Sequence, residues 1–424
     1  MLLEYFDLQI LRTRMANQKW GALAPKGLPS SVVYCRSCVI SNQRPITKLE
    51  TRHSVNDVKS TTNFTDGICD ACRWATMKNT INWDDRNEDL LRLCDTHRSS
   101  TGNYDVIVPA SGGKDSRYVA HILKTKYGMN PLTVTWRPHL YTRIGFENLT
   151  SMIDAGFDNV LISPNGAVQR KLCKLAFERL GHPFQPFIIG QRAVGPKIAK
   201  EYGVKLVFYG ENVAEYGNRI EDNFSPLMDR SLYTAFDFNS ETGAKYMIAG
   251  IPLNELACSD NNITWHDLKP YKSLSKDEAI ASGIEVHYMS YYRKWVPQEN
   301  YYYAVEHTNF QPNPKRRDGS FTRYSGIDDK MEDLHYYMQL IKFGMGRCTW
   351  DTAQEIRTGL LEREEAVSLV KMYDFEAPTE YFDDILEYLD ITEEQFWTAV
   401  GNFRSPHLWD CDKQKDFSLK YAPG

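Results

Sequence analysis

The 424-residue chain lacks long hydrophobic runs: no stretch approaches the ~20 consecutive apolar residues of a membrane-spanning helix. It also lacks an excess of positive charge. Its net charge of −5 argues against an extended nucleic-acid interface. The first residues carry Glu4, Asp7, Arg12 and Arg14 within their apolar pattern, which predicts a short amphipathic helix rather than a signal peptide. We therefore expect a cytoplasmic protein without membrane insertion and without a nucleic-acid partner.

Cysteine is sparse, and its placement is informative. Four of the nine cysteines form two CxxC pairs, Cys35 with Cys38 and Cys69 with Cys72. Two such pairs predict a closed tetrahedral zinc site with a structural role, because four thiolates leave no open coordination position. The alternatives are free structural cysteines or a redox pair. The gap between the pairs is longer than in many zinc ribbons, and its polar run at 48–65 has the character of an inserted loop.

The most distinctive stretch is Ser111-Gly112-Gly113-Lys114-Asp115-Ser116, between an apolar run at 104–110 and an amphipathic run at 117–127. These patterns predict a strand, a glycine turn and a helix. The turn can direct backbone N–H groups at an anion on the positive helix end, with its two serines as further donors. Asp115 can cap the helix or hold Mg²⁺, and Lys114 can contact phosphate or face solvent. The alternative is a turn that binds nothing, but the strand–turn–helix context favours phosphate binding.

Strands and helices alternate after this loop, which predicts an α/β fold with a Rossmann-like parallel sheet and helices on both faces. Strands are predicted at 131–136, 159–163 and 205–209, and helices at 145–156, 167–180 and 193–202, with a separate apolar segment at 186–189. We divide the chain into an extension at 1–32 without assigned chemistry, a zinc-ribbon-like module of four cysteines with a linker helix at 33–98, the core at 99–285, and an aromatic segment with a helical region at 286–424.

Two further stretches lie at strand ends, where a doubly wound sheet opens its crevice. Trp136 ends the second strand and can stack on adenine, although a buried core position is the alternative. Gly210, Glu211 and Asn212 follow the strand at 205–209 and are candidates for binding Mg²⁺ or substrate. Glu211 and Asp115 are the magnesium candidates, the alternative being a solvated acidic loop.

The loop at 111–116 resembles the pyrophosphate loop SGGxDS of the ATP pyrophosphatases, the adenine-nucleotide alpha hydrolase superfamily. From about residue 33 to about 375 the chain resembles the N-acetyl sugar amidotransferases of bacterial surface-sugar pathways. The extension and the polar run depart from that pattern. The resemblance lies in the CxxC pairs, the loop at 111–116, Gly210-Glu211-Asn212, Glu215-Tyr216-Gly217, Lys294-Trp295, and the stretches 297–302 and 341–344.

The resemblance implies a reaction and its ligands. ATP would adenylate an acetamido oxygen of a nucleotide-linked sugar, and ammonia would then displace AMP to leave an acetamidino sugar. Such products occur in O-antigen lipopolysaccharide and pseudaminic-acid-type flagellin glycans. The family is expected to need Mg²⁺ and structural Zn²⁺, and to receive ammonia from a separate glutaminase with a cyclase-like subunit. The predicted nucleotide-binding residues are Ser111, Gly112, Gly113, Lys114, Asp115, Ser116, Trp136, Gly210, Glu211 and Asn212.

The aromatic, partly basic segment at 286–303 can bind a base or sugar face, or form a packed interface between domains. The resemblance implies a nucleotide-sugar platform, so Lys294 joins Asp115 as a predicted catalytic residue. Lys330 is the third, because Lys330, Lys342 and Arg347 flank the glycines at 344 and 346 and can form a second phosphate contact.

Two other functions remain open from the sequence. The first is a tRNA-thiolation-type enzyme, a class that also joins zinc modules to this loop, but Cys173 and Cys258 are isolated and the charge balance disfavours RNA. The second is a non-catalytic nucleotide-binding regulator. None of the five cysteines outside the CxxC pairs is flanked by glycine, as a triad-type glutaminase elbow requires, so we expect no glutaminase activity in this chain.

Overall fold

The computed structural model describes residues 27–46, 59–258, 261–410 and 418–424. The predicted N-terminal helix, most of the polar run between the CxxC pairs, and Cys411 lie outside these ranges. The described strands are β1 (Phe64–Thr65), β2 (Ile68–Cys69), β3 (Val106–Pro109), β4 (Pro131–Trp136), β5 (Asn159–Ile162), β6 (Leu206–Tyr209), β7 (Met247–Ile248), β8 (Ile251–Pro252), β9 (Glu285–Tyr288), β10 (Trp409–Asp410) and β11 (Ser418–Leu419).

Helices surround the strands. They are α1 (Asp70–Lys78), α2 (Trp83–His97), α3 (Lys114–Thr125), α4 (Arg143–Asp154), α5 (Gly166–Leu180), α6 (Gln185–Tyr202), α7 (Arg230–Tyr233), α8 (Leu253–Leu256), α9 (Trp265–Leu268), α10 (Lys276–Ala281), α11 (Met289–Tyr292), α12 (Pro297–Thr308), α13 (Glu332–Phe343), α14 (Arg347–Thr358), α15 (Arg363–Tyr373), α16 (Phe382–Leu389) and α17 (Glu393–Asn402). In the described ranges, none of them has both the length and the apolar character needed to cross a membrane.

A five-stranded sheet in the order β5-β4-β3-β6-β9 forms the centre of the molecule, and every neighbouring pair is parallel. Its strands are apolar because helices cover both faces. On β3, Ile107 packs towards Leu172 of α5, whereas Val106 and Val108 pack towards Val119 of α3. The predicted parallel α/β sheet is therefore confirmed. Its strand order reverses between β3 and β6, and this switch point is where such sheets bind ligands.

Two parts of the core differ from the sequence expectation. The apolar segment at 186–189 and the helix at 193–202 form one continuous helix, α6, with Pro196 inside it. Burial of its apolar face against β3 and β4 outweighs the cost of the proline. Strand β9 pairs along its whole length with β6. The sequence does not predict it, because Glu285 and His287 interrupt the apolar run that marks the other strands of the sheet. The boundary expected between residues 285 and 286 falls within this strand.

The C-terminal helices attach to two separate parts of the molecule. One apolar cluster joins Leu334 of α13 and Phe396 of α17 to Phe177 of α5. Another joins α14 and α15 to the cysteine module, with Ala353 and Val367 packed beside Cys38. The region after residue 330 therefore bridges the sheet and the cysteine module, and it covers the carboxyl edge of the sheet from one side.

Candidate functional site

The turn between β3 and α3 is held rigidly by its neighbours. Gly112 has a φ of +89°, and a Cβ there would lie 2.7 Å from the backbone nitrogen of Leu149. Gly112 is thus required because α4 packs closely against it. Space for a phosphate, which its position in the loop suggests, is not the only reason for a glycine here. Buried Arg117 donates from Nε to the Gly112 carbonyl at 2.8 Å, and its Nη atoms donate to the carbonyls of Asn148 and Thr308. These contacts fix the turn at the N-terminus of a twelve-residue helix.

A cleft of about 1340 Å³ opens beside this turn at the switch point of the sheet. The whole turn, residues 111–116, contributes to its lining, together with Trp136, Gly210 and Glu211. Residues from the region after 320 form the facing wall. The volume exceeds the ~300–1,000 Å³ typical of a single small-ligand pocket. The cleft therefore offers room for a nucleotide and a second substrate together.

The charged groups of the turn have defined partners. Lys114 is nearly buried, and its Nζ lies 2.6 Å from Oδ2 of Asp115. Oδ1 of Asp115 accepts a 3.1 Å hydrogen bond from Asn300 of α12. Tyr216 donates a 2.8 Å hydrogen bond to Oε1 of Glu211. Lys114 thus takes part in the site and is not a merely solvated residue.

The negative charge of Asp115 acts on the buried carboxyl group of Glu211. Burial raises the pKa of Glu211, and the negative charge of Asp115 raises that pKa further, while Tyr216 and Lys114 oppose the shift. Both carboxylates line the same cleft, where a divalent cation would offset their negative charge. The donor set fits Mg²⁺, which commonly takes one or two carboxylates together with phosphate oxygens.

The facing wall brings acidic and aromatic side chains to the cleft. The hydroxyl of Tyr324 donates to Oε1 of Glu355 at 3.2 Å, and the Tyr324 ring lies 5.4 Å from Nζ of Lys114. Burial raises the pKa of Glu355, and Lys114 counteracts this shift. The wall therefore meets the phosphate turn directly.

Arg347 lies on the same wall but is already neutralised. Its guanidinium approaches Asp351 at 3.0 Å and Glu332 at 3.4 Å, and it stacks 4.4 Å above the ring of Tyr336. Burial raises the pKa of Glu332 to about 8 despite Arg347. The ion pair with Asp351 weakens the expected role of Arg347 as a second phosphate contact.

The structure does not bring the other predicted basic residues to the glycine turn at 111–116. Lys294 is exposed and does not line the cleft, because the chain there is extended and its neighbour Trp295 faces inward. Lys330 also lies outside the lining, and its Nζ contacts Asp384 at 2.7 Å. Lys342 lines the cleft, but it is buried and donates to the Leu180 carbonyl at 2.7 Å. These placements do not support direct catalytic contacts by Lys294 and Lys330.

The aromatic segment at 286–303 is largely an internal interface. Tyr288, Tyr292 and Trp295 are 4%, 4% and 1% exposed. The Trp295 ring covers Gly210 so closely that a Cβ at that glycine would lie 2.9 Å from it. The expected nucleotide-sugar platform is therefore mostly packing behind β6, and Gly210 is required by the tryptophan.

Two predicted nucleotide-binding residues are used for packing and loop structure. Trp136 is 4% exposed, and its ring packs against Gly190 and, at 5.4 Å, edge-on to Tyr271. Stacking on adenine remains a prediction. The side chain of Asn212 accepts from the Ala214 N–H at 3.1 Å and donates to the Asp222 carbonyl at 2.6 Å. Both of its polar atoms serve the loop, and its contact with the nucleotide stays a prediction.

The four CxxC cysteines converge on one buried point. Their Sγ atoms all lie within 4.8 Å of one another, with separations of 3.8 Å for Cys38–Cys69 and 3.9 Å for Cys35–Cys72. Four thiolates around a zinc ion at ~2.3 Å would be ~3.8 Å apart. The N–H of Cys69 also points at Sγ of Cys35 at 3.3 Å. The donor set and its spacing fit structural zinc.

Sequence reasoning did not identify three residues of the site as contributors: Asn300, Tyr324 and Glu355. Asn300 lies within the stretch that carried the family resemblance, so it had a weak signal. Tyr324 and Glu355 lie in no motif, and only the packing of the C-terminal helices brings them to the turn.

Fold and cleft together define a doubly wound α/β protein with a glycine turn at its switch point and a four-cysteine module beside it. A family model described as "LPS biosynthesis protein WbpG-like, C-terminal domain" matches residues 318–421. This match supports a relationship to proteins of surface-sugar biosynthesis. No curated protein matches the chain. The matched segment includes α13 and α14, which supply the wall opposite the phosphate turn.

Proposed function

We propose that this chain is an ATP-dependent amidotransferase, forming AMP and pyrophosphate, in the biosynthesis of bacterial surface polysaccharide or flagellin glycan. Its substrate is a nucleotide-linked sugar, and its product carries an acetamidine in place of an N-acetyl group. One observation carries the proposal. A phosphate-type turn at the switch point shares a single cleft with a wall from the segment similar to a lipopolysaccharide-biosynthesis domain.

The turn supplies the groups that a departing pyrophosphate needs. Backbone N–H groups at Gly112 and Gly113 lie at the positive end of α3. Asp115 and Glu211 are suited to hold Mg²⁺. When bound, ATP supplies the AMP group that turns the acetamido oxygen into a leaving group, and Mg²⁺ offsets phosphate charge. The protein then contributes positioning and charge neutralisation, and no side chain need form a covalent bond.

The facing wall is suited to the sugar end of the second substrate. Tyr324 and Tyr336 offer aromatic faces, while Glu332 and Asp351 offer carboxylate oxygens that accept hydrogen bonds from hydroxyl and amide groups. Arg347 on this wall is already paired with Asp351, so it offers little free positive charge to the substrate's own diphosphate. We therefore orient the sugar ring towards α13 and α14, with its acetamido group towards the turn.

Mass spectrometry of a nucleotide-sugar panel tests this function. The protein is incubated with ATP, Mg²⁺, ammonium and each nucleotide sugar, and Asp115→Ala serves as the inactive control. Replacement of one oxygen by NH in a single sugar, with stoichiometric AMP, is the expected result. Parallel incubation with tRNA and a sulfur donor addresses thiolation. Sulfur appearing in tRNA, with every sugar unchanged, would contradict the proposal.

A further inference from the structure

The carboxylate of Glu215 connects the cysteine module to the cleft. Helix α1, which contains Cys72 of the second CxxC pair, directs two side chains at it. Trp74 donates from Nε1 to Oε1 at 2.9 Å, and Nζ of Lys78 lies 2.7 Å from Oε2. The side chains of Lys78 and Glu215 are each 6% exposed. Each carboxylate oxygen of Glu215 thus has a buried partner from the cysteine module.

The next residue along the chain reaches the magnesium candidate. Tyr216 lies with Glu215 in one short 3₁₀ helix, Val213–Tyr216, and its hydroxyl donates to Oε1 of Glu211. The side chain of Asn212 caps this helix. A displacement of Glu215 therefore moves Tyr216 and its contact with Glu211, because little chain between them can absorb the change.

Arg357 of α14 makes a second connection. Its Nη1 donates to the Glu215 carbonyl at 3.2 Å, and its Nη2 lies 3.6 Å from Sγ of Cys38. A zinc ion with four thiolates carries a net negative charge, which attracts this guanidinium. The cysteine module is thus linked to both the side chain and the backbone of Glu215.

We propose that Glu215 is a positioning residue that transmits the folded state of the cysteine module to Glu211, and so sets the affinity of the Asp115–Glu211 pair for a divalent cation. The zinc module would then control the active site as well as the stability of the chain. The use of that cation in ATP chemistry rests on the proposed function, whereas the mechanical coupling does not.

A purely structural role for the Lys78–Glu215 pair predicts something different. Breaking a buried ion pair would lower the stability of the chain without changing how the folded protein binds metal. Metal affinity and local backbone exchange in the folded state therefore distinguish positioning from simple stabilisation.

The test uses the full chain with Glu215→Gln, Lys78→Met and Tyr216→Phe. Lys200→Met is the matched control, because Lys200 forms an ion pair of 2.6 Å with Glu278 on an exposed surface. Mn²⁺ is used in place of Mg²⁺, and its binding is measured by electron paramagnetic resonance. The zinc content and the backbone hydrogen exchange of each variant are measured as well. We expect all variants to keep one zinc per chain. Mn²⁺ affinity should fall about tenfold in the first three, and exchange at 211–217 should accelerate in Glu215→Gln and Lys78→Met.

The possible outcomes separate the two proposals. Unchanged Mn²⁺ affinity in zinc-loaded Glu215→Gln and Lys78→Met overturns the coupling, as does a parent protein that binds no Mn²⁺. Should those variants lose zinc, Tyr216→Phe decides, since unchanged affinity in it overturns the coupling as well. If the parent binds Mn²⁺ and the variants bind it more weakly, but no sugar leads to AMP formation, the proposed function is refuted and the coupling is supported.

Discussion

The side-chain amide of Asn300 donates a 3.1 Å hydrogen bond to Asp115, although 185 residues separate the two positions. Asn300 is 3% exposed on α12, which packs along α3. The other carboxylate oxygen of Asp115 is held by Lys114. Both oxygens of the predicted magnesium ligand therefore have fixed orientations within the protein itself, as a preorganised charged site requires.

This relationship predicts graded effects on turnover. Asp115→Ala should abolish AMP formation because it removes a metal ligand, whereas Asn300→Ala should lower the rate about tenfold because it only loosens the carboxylate. Glu306→Ala, on an exposed face of the same helix, should leave the rate unchanged. The turnover of all three variants is measured as the rate of pyrophosphate release. Wild-type turnover in Asp115→Ala would refute the magnesium assignment.

The two glycines of the turn should respond differently to alanine. Gly112→Ala should lower the free energy of unfolding by at least ~1–3 kcal/mol, because its φ is +89° and the added Cβ meets the backbone of Leu149. Gly113 has a φ of −69°, and the nearest atom to an added Cβ is Ser111 Oγ at 3.5 Å. Gly113→Ala should therefore keep the free energy of unfolding within ~0.5 kcal/mol of the parent value. Its effect should be limited to weaker ATP binding. Urea unfolding and ATP titration separate these effects, and equal destabilisation by both would contradict this assignment.

The parts of the site that the sequence predicts are those encoded locally. The turn at 111–116 and the strand Pro131–Trp136 have their signals within a few neighbouring residues, so their positions could be predicted. Lys294 was assigned from the family resemblance and Lys330 from its basic neighbours, and neither signal determines the direction of a side chain. Glu355 was missed for the complementary reason, since only the packing of α14 against the cysteine module and α15 brings it near Lys114.

Zinc should be required for folding of the cysteine module. We expect one zinc per chain in freshly prepared, reduced protein, measured by atomic emission. Cys69→Ser should lose the metal and lower the melting temperature, because binding energy at such a site is also folding energy. Cys94→Ser, at a buried cysteine outside the module, should keep the zinc. Reduced wild-type protein without zinc would overturn the assignment.

Buried His139 should make the fold sensitive to acid. It is 4% exposed beside Phe184 and Tyr388, and burial lowers its pKa to about 3. Above pH ~6.5 the imidazole of His139 is neutral in both the folded and the unfolded chain, so burying it carries no protonation cost there. Between pH ~6.5 and 3 the unfolded state gains a proton that the folded state does not, which costs up to ~1.4 kcal/mol per pH unit.

In His139→Gln, the free energy of unfolding should therefore fall less steeply as the pH is lowered below ~6.5. Urea unfolding at several pH values between 4.5 and 7.5 measures the slope. His266→Gln, at an exposed histidine, is the control and should keep the wild-type slope. The same slope in His139→Gln and the parent would contradict the prediction.

Three thiols outside the zinc module are buried and are poor nucleophiles. Burial raises the pKa of Cys94 to about 12, and it also raises the pKa values of Cys173 and Cys348. A glutaminase needs the opposite, a cysteine whose pKa is lowered by a nearby base or helix end. These environments agree with the absence of glycine-flanked cysteines in the sequence, and Cys411 lies outside the described residues.

Ammonia should therefore come from a separate glutaminase. Purified protein with ATP, Mg²⁺ and the accepted nucleotide sugar should turn over with ammonium chloride but not with glutamine. Addition of a glutaminase partner should restore glutamine-dependent turnover. Cys411→Ser should keep full ammonium-dependent activity, because the reaction needs no thiol of this chain once ammonia is present. Glutamine-driven product from partner-free protein, lost in Cys411→Ser, would instead reveal a glutaminase site at that cysteine and refute the prediction.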